Sequence, residues 1–290
     1  MTLLTQLESL LYRVEKPGRY VGGEYNQVVK PWESVETHVA LVFPDIYDIG
    51  QSNLGLAILY DILNRQPDIL AERAYAPWID METQLREHNL PLFSLESKMP
   101  LSEFDILGIT LPYEQIYTNV INILDLAGIP LFSNQRTKTD PLILAGGQAC
   151  YNPEPMAEFI DAFAIGEGEE VILEITHAYQ AWKRSGAARE DLLTALAEVP
   201  GVYVPSLYTV SYNPDGTIQA VTPRNEQVSF PVVKRIMPKL PPPVTQFIVP
   251  NVQTVHDRLS VEIMRGCTRG CRFCHAGMVN RPVRERSVEE

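Results

Sequence analysis

Cys267, Cys271 and Cys274 fall within one short stretch, RGCTRGCRFCHAG, residues 265–277. Thiols clustered at Cys-x3-Cys-x2-Cys spacing suit ligation of a metal or an iron–sulfur cluster better than disulfide pairing. No signal peptide opens the chain, so the thiols are expected to be reduced. Three thiolates can hold three irons of a 4Fe–4S cubane and leave the fourth iron open to a small molecule, whereas ferredoxin-type carriers close the cluster with a fourth cysteine. The remaining cysteine, Cys150, lies far off in the sequence and reads as a packing residue. The rival is a zinc site completed by His275. Adjacent Cys274 and His275 would have difficulty sharing one tetrahedral ion, and zinc sites usually pair Cys-x2–4-Cys with a distant second half. Arg265, Arg269, Arg272, Arg281, Arg284 and Arg286 make this segment basic in a chain of net charge -12. They read either as a solvated face or as an offset to a negatively charged cofactor.

The elements that must position this loop precede it. Between about 37 and 186, apolar runs of strand length alternate with helical patterns. The expected strands are 38–45, 71–78, 104–111, 141–149 and 161–169. The expected helices are 50–66, with Ser52 or Asn53 as cap, 81–89, 114–128 ended by Gly128, 152–160 and 170–186. Five alternations predict an α/β fold, a flavodoxin- or Rossmann-like parallel sheet with helices on both faces. Ligands of such sheets sit outside the carboxyl ends of the strands. The loops of interest are therefore 44–53, 110–115, 145–152 and 166–169. Residues 1–36 form a helical extension, and 187–257 hold a β-hairpin (208–223, turning at Asn-Pro-Asp-Gly) and a stiff proline-rich linker (239–251). RLSVEIM (258–264) predicts one more strand leading into the cysteine loop, and SVEE (287–290) the start of a helix.

CTRGCRFC, the strand pattern before it and the glycines Gly266 and Gly270 resemble the signature of the radical S-adenosylmethionine enzymes. The resemblance implies that Cys267, Cys271 and Cys274 ligate a 4Fe–4S cluster, with Phe273 packed beside it and Arg265 or Arg272 tuning its charge. In that family the open iron chelates S-adenosylmethionine, and an electron from the cluster releases a 5′-deoxyadenosyl radical. It also implies that 258–290 is the first strand and cluster loop of an incomplete (β/α) barrel, so that the chain is the front part of a longer enzyme. Alone it would be inactive, and it would need the missing barrel and a reductant such as flavodoxin or ferredoxin.

The same resemblance extends upstream. A five-strand parallel domain followed by the cysteine loop is similar to cobalamin-dependent members of the family. Their Asp-x-His-x-x-Gly loop corresponds to Asp45-Ile46-Tyr47-Asp48-Ile49-Gly50, where Tyr47 takes the histidine's place and implies cobalamin without an axial histidine. Thr110 corresponds to the loop after the third strand, Gly146 and Gly147 to a glycine pair, and Gly166, Glu167, Gly168 and Glu169 to the loop bordering the nucleotide tail. Residues 92–103 look inserted. SNLGLAILYDILN, AERAYAPWIDME and FDILGITLPYE further resemble one subfamily whose substrate the sequence does not reveal. Relatives of this kind catalyse methyl transfer, rearrangement or sulfur insertion, sometimes on transfer RNA, and no residue selects among these. No catalytic acid or base is assigned.

Composition sets outer bounds. With 45% hydrophobic and 21% charged residues the chain is that of a globular protein, and no stretch approaches a membrane span. The acidic balance opposes generic nucleic-acid binding. The cytoplasm is the expected compartment. The alternative to an enzyme is a ligand-binding α/β module whose cysteine tail is vestigial or holds zinc.

Overall fold

The computed structural model describes residues 3–289. In chain order its helices are α1 (Leu3–Leu10), α2 (Tyr47–Gly50), α3 (Leu54–Asn64), α4 (Ile79–Glu87), α5 (Tyr117–Leu126), α6 (Gly168–Ser185), α7 (Arg189–Ala197) and α8 (Ala276–Val279). The strands are β1 (Thr37–Phe43), β2 (Ile69–Tyr75), β3 (Ile106–Thr110), β4 (Leu142–Gly146), β5 (Ala162–Ala164), β6 (Val202–Tyr203), β7 (Tyr208–Tyr212), β8 (Ile218–Pro223), β9 (Met264–Arg265) and β10 (Arg284–Glu285).

One six-stranded sheet carries the fold, in the order β2-β1-β3-β4-β5-β6. The first five strands run parallel and β6 pairs antiparallel with β5. This is the flavodoxin-like strand order, and it puts the topological switch point between β1 and β3. Every residue of β1 is buried, as the continuous apolar run HVALVF requires of a strand covered on both faces. Asn53 caps α3 by accepting from the Leu56 amide at 2.9 Å, and Gly186 ends α6 in the left-handed conformation, with φ +70°.

Although β2 lies at the edge of the sheet, all of its residues are buried. The inserted-looking segment explains this. Leu95 donates its amide to the Arg73 carbonyl at 2.7 Å, and Glu96 accepts from the Arg73 amide at 2.7 Å. The free edge is thereby covered, which removes a template for intermolecular pairing. The extension adds Leu7, Leu10, Val14 and Tyr20 to the core.

Several expectations need correction. Residues 152–160 form no α-helix, only a 3₁₀ turn at Glu154–Met156; Pro153 and Pro155 lack the amide donors a longer helix would need. Residues 258–263 form no strand, because no described strand pairs with them, and only Met264 and Arg265 join a two-residue ladder with β10. Residues 287–289 are not helical, and Glu290 lies outside the described residues. The sequence reading also missed α7 and β6. The hairpin is present as β7 and β8. Among the described residues no helix is long and apolar enough to cross a membrane.

Candidate functional site: the cavity at the strand ends and the cysteine loop

A cavity of about 380 Å³ lies where β1, β3, β4 and β5 approach their carboxyl ends, walled by α3 and α6. Its inner wall is apolar, from Leu41, Ile58, Leu144 and Ile172, and its lip is polar and glycine-rich. Thr110, Gly146, Gly147, Gly166, Glu167, Gly168 and Glu169, all singled out in the sequence, meet here. The register explains the meeting, since Thr110 pairs with Gly146 and Gly146 with Ala164.

Two of these glycines are demanded by the backbone. Gly147 has φ +119°, and a Cβ there would stand 2.4 Å from the Leu111 carbonyl oxygen. Gly166 has φ +111°, and a Cβ there would stand 2.2 Å from the Arg235 carbonyl oxygen. Arg235 forms a bridge with Gly166, donating its amide to Ile165 and accepting from Glu167. Gly146 differs, for a Cβ there meets nothing within 4 Å. Its bareness keeps the cavity lip open.

Tyr47 and Gly50 do not face this cavity. Tyr47 is 2% exposed and donates its hydroxyl to Glu24, while Gly50 packs against Tyr75 and Phe43. Both belong to a buried charged cluster in which Arg73 pairs with Glu24 and, at 2.7 Å, with Glu96. Arg73 also donates to Gln51 at 2.6 Å, and its guanidinium lies 5.6 Å from the centre of the Tyr60 ring. Asp48 turns the other way, to Arg19 at 2.5 Å and Lys16 at 3.0 Å. The loop after β1 therefore ties the extension to the sheet.

Residues flanking the cysteine loop reach the cavity from the far end of the chain. Glu262, Arg265 and Asn280 complete its lining. Arg265 contacts Glu169 at 2.6 Å, Glu262 at 2.8 Å and Glu167 at 3.4 Å. Arg284 contacts Glu167 at 2.5 Å, and Arg286 reaches Glu262 at 3.4 Å. Burial alone would lower the pKa of Arg265, but its hydrogen bonds to Glu262 and Glu169 outweigh this and raise it, so the guanidinium stays charged. Behind the loop, Tyr151 donates to the Val279 carbonyl at 3.1 Å, and Lys234 to the Val279 and Arg281 carbonyls at 2.8 and 2.6 Å.

Within the loop, Gly266 and Gly270 take positive φ, +91° and +68°. Cys267 accepts from the Arg269 amide at 3.5 Å, and Cys274 from the Gly277 amide at 3.3 Å. Cys267 and Cys274 are half-buried and Cys271 is exposed. Phe273 is 93% exposed. His275 meets the edge of Tyr151, with ring centres 6.3 Å apart. Among the described residues no three metal-ligating side chains stand together, so neither a cluster site nor the rival zinc site is closed. The donor set still fits an iron–sulfur cluster in kind, since three thiols in a loop with amides directed at sulfur are what thiolate ligation uses. Cys150, 1% exposed, has its thiol pushed up to about 12 by burial, which makes it inert.

The residues that sequence reasoning missed are Glu262, Asn280 and the contacts of Arg284. For the contacts of Arg284 one signal exists, the complementarity between the acidic run Gly166–Glu170 and the arginines of 265–286.

Residues 55–205 match the family described as Radical SAM proteins, N-terminal. An uncharacterized protein of Methanocaldococcus jannaschii is 26% identical over 263 residues, which is 87% of this chain and 44% of that protein. The chain thus spans less than half the length of this curated relative. Among solved structures, the cobalamin-dependent S-adenosylmethionine radical enzyme OxsB, with aqua-cobalamin and S-adenosylmethionine bound, is similar at TM-score 0.46 and 18% identity, over 87% of this chain and 30% of that one. The radical S-adenosylmethionine methyltransferase TsrM from Kitasatospora setae, with tryptophan substrate and a S-adenosylmethionine analog bound, is similar at TM-score 0.36 and 15% identity, over 62% of this chain and 29% of that one.

Proposed function

The chain belongs to the family of radical SAM proteins, by their N-terminal domain, and from that premise we propose that it is the amino-terminal part of a radical S-adenosylmethionine enzyme. In this reading Cys267, Cys271 and Cys274 hold a 4Fe–4S cluster and the strand-end cavity receives part of a corrinoid. The observation that supports it most is that residues on both sides of the three-cysteine segment, Arg265 and Asn280, line the same glycine-lipped cavity, with Arg265 paired to Glu169.

When bound, the cluster and S-adenosylmethionine supply one-electron chemistry that generates a 5′-deoxyadenosyl radical, and a corrinoid supplies methyl transfer or rearrangement. The chain's own residues bind, orient and exclude water. Gly146 and Gly147 let a large ligand approach the backbone. The apolar wall of Leu41, Ile58, Leu144 and Ile172 suits the aromatic base of a nucleotide tail, and about 380 Å³ suits that tail rather than a whole corrin. Tyr47 is committed to Glu24 in the core, so this loop would contribute no side-chain ligand to a bound corrinoid. The Arg269 and Gly277 amides point at the Cys267 and Cys274 sulfurs, the kind of contact a cluster-ligating loop would use to orient them. The rest of the barrel, a flavodoxin or ferredoxin reductant and a cytoplasmic setting belong to this proposal.

Two titrations test it. Hydroxocobalamin added to the purified protein is expected to bind with a shift in its visible spectrum, and Gly146→Trp, which fills the open lip, to abolish the shift. After anaerobic reconstitution and reduction, addition of S-adenosylmethionine is expected to change the cluster's electron paramagnetic resonance. An unmoved signal, or no corrinoid binding, would remove the corresponding half of the proposal.

A further inference from the structure

The loop Gly166-Glu167-Gly168-Glu169 contributes glycines to the cavity, but its two carboxylates are already engaged. Glu167 accepts from both terminal nitrogens of Arg284, at 2.6 and 2.5 Å, and from the Met237 amide at 2.7 Å. Glu169 takes Arg265 at 2.6 Å and is 7% exposed. Both arginines come from the short ladder that brackets the cysteines, Arg265 in β9 and Arg284 in β10. One acidic loop thus holds both strands of the cysteine segment at once.

We propose that Glu167 and Glu169 are positioning residues that seat the cysteine loop beside the cavity through Arg284 and Arg265. In this division of labour the glycines of the loop admit the ligand and the carboxylates dock the cysteine loop at its edge. The inference rests on the reading of 264–285 as the cluster loop, and it adds the device that places that loop. Two features of the neighbourhood fit such a seat. Glu262, on the cysteine side, neutralises what Glu169 leaves of Arg265, so the desolvated guanidinium is surrounded by acceptors. Lys234 and Tyr151 hold the Val279 carbonyl from a third direction, which leaves the ladder and α8 docked at several points. A seated loop has lower access to reagent at its half-buried sulfurs, whereas Cys271 is exposed in either state.

The test uses the cofactor-free chain and reads the loop alone, so its outcome is separate from iron or corrinoid uptake. Anaerobic pulse labelling with iodoacetamide, read by mass spectrometry at each cysteine, is compared among wild type, Glu169→Gln, Arg265→Gln and the double variant. The single variants are expected to raise labelling of Cys274 roughly 3- to 30-fold, as coupling energies of contacting residues allow. The double variant is expected to label no faster than Arg265→Gln. Cys150 reports folding and should stay unlabelled throughout. If Cys150 labels in a glutamine variant, Glu169→Asp replaces it; it keeps the charge, withdraws the contact and should give the same rise at Cys274. Equal Cys274 rates in wild type and folded variants, or additive effects in the double variant, would overturn the seat.

Discussion

Arg265, two residues before the first clustered cysteine, lies 2.6 Å from Glu169, the last residue of the Gly166–Glu169 segment after β5. Nearly a hundred positions of sequence separate them, and the contact joins the cavity loop to the cysteine segment. Glu169 stands in the first turn of α6, where a carboxylate is already favoured by the helix dipole. The arginine thus meets an anion fixed in place by a long, well-packed helix.

The glycines of the cavity lip should separate by function. Gly147→Ala and Gly166→Ala force a side chain into the left-handed region against a carbonyl oxygen, and each is expected to cost about 1–3 kcal/mol. Gly146→Ala meets open space and should leave stability unchanged while weakening hydroxocobalamin binding. Urea unfolding and visible titration of the three variants check both halves.

The buried cluster around Arg73 should be the most fragile polar feature of the fold. Arg73→Met leaves Glu24 and Glu96 facing each other without their shared cation, and a loss of about 3–5 kcal/mol is expected. Arg73→Lys cannot span both carboxylates and Gln51, so it should recover only part of this. Urea midpoints at neutral pH decide it.

Acid should unfold the protein through Asp48 and Asp105. Burial would raise both carboxyls, but hydrogen bonds from Arg19 and Lys16 to Asp48, and from His38 and Lys183 to Asp105, outweigh it and hold both below the ordinary value. A depressed folded pKa contributes stability that is present above the unfolded value and lost as pH falls through the folded one. The loss is therefore expected below about pH 4. Asp48→Asn and Asp105→Asn should lower stability at pH 7 and flatten the decline below pH 4, as read by urea unfolding across that range.

The parts of the fold legible in the sequence were those set by local pattern. VALVF and ILGI read as buried strands because nothing polar interrupts them, and Asn53 and Gly128 mark helix ends by their own chemistry. The glycine loops were legible because parallel strands must turn at their carboxyl ends. What stayed hidden depends on distant partners. LSVEI alternates like a strand but forms none, since among the described residues no strand pairs along it. Tyr47 sits at a position where a ligand was expected, yet Glu24 from the extension draws its hydroxyl into the core. The bonds from Arg265 and Arg284 to Glu169 and Glu167 join segments that no local rule connects.

The most direct measurement is the iron and acid-labile sulfide bound per chain after anaerobic reconstitution, with zinc counted alongside. About four irons and four sulfides are expected, falling to near zero in Cys267→Ala, Cys271→Ala and Cys274→Ala and unchanged in Cys150→Ala. One zinc per chain without sulfide, or iron retained when any of the three clustered cysteines is removed, would contradict a cluster held by these thiols.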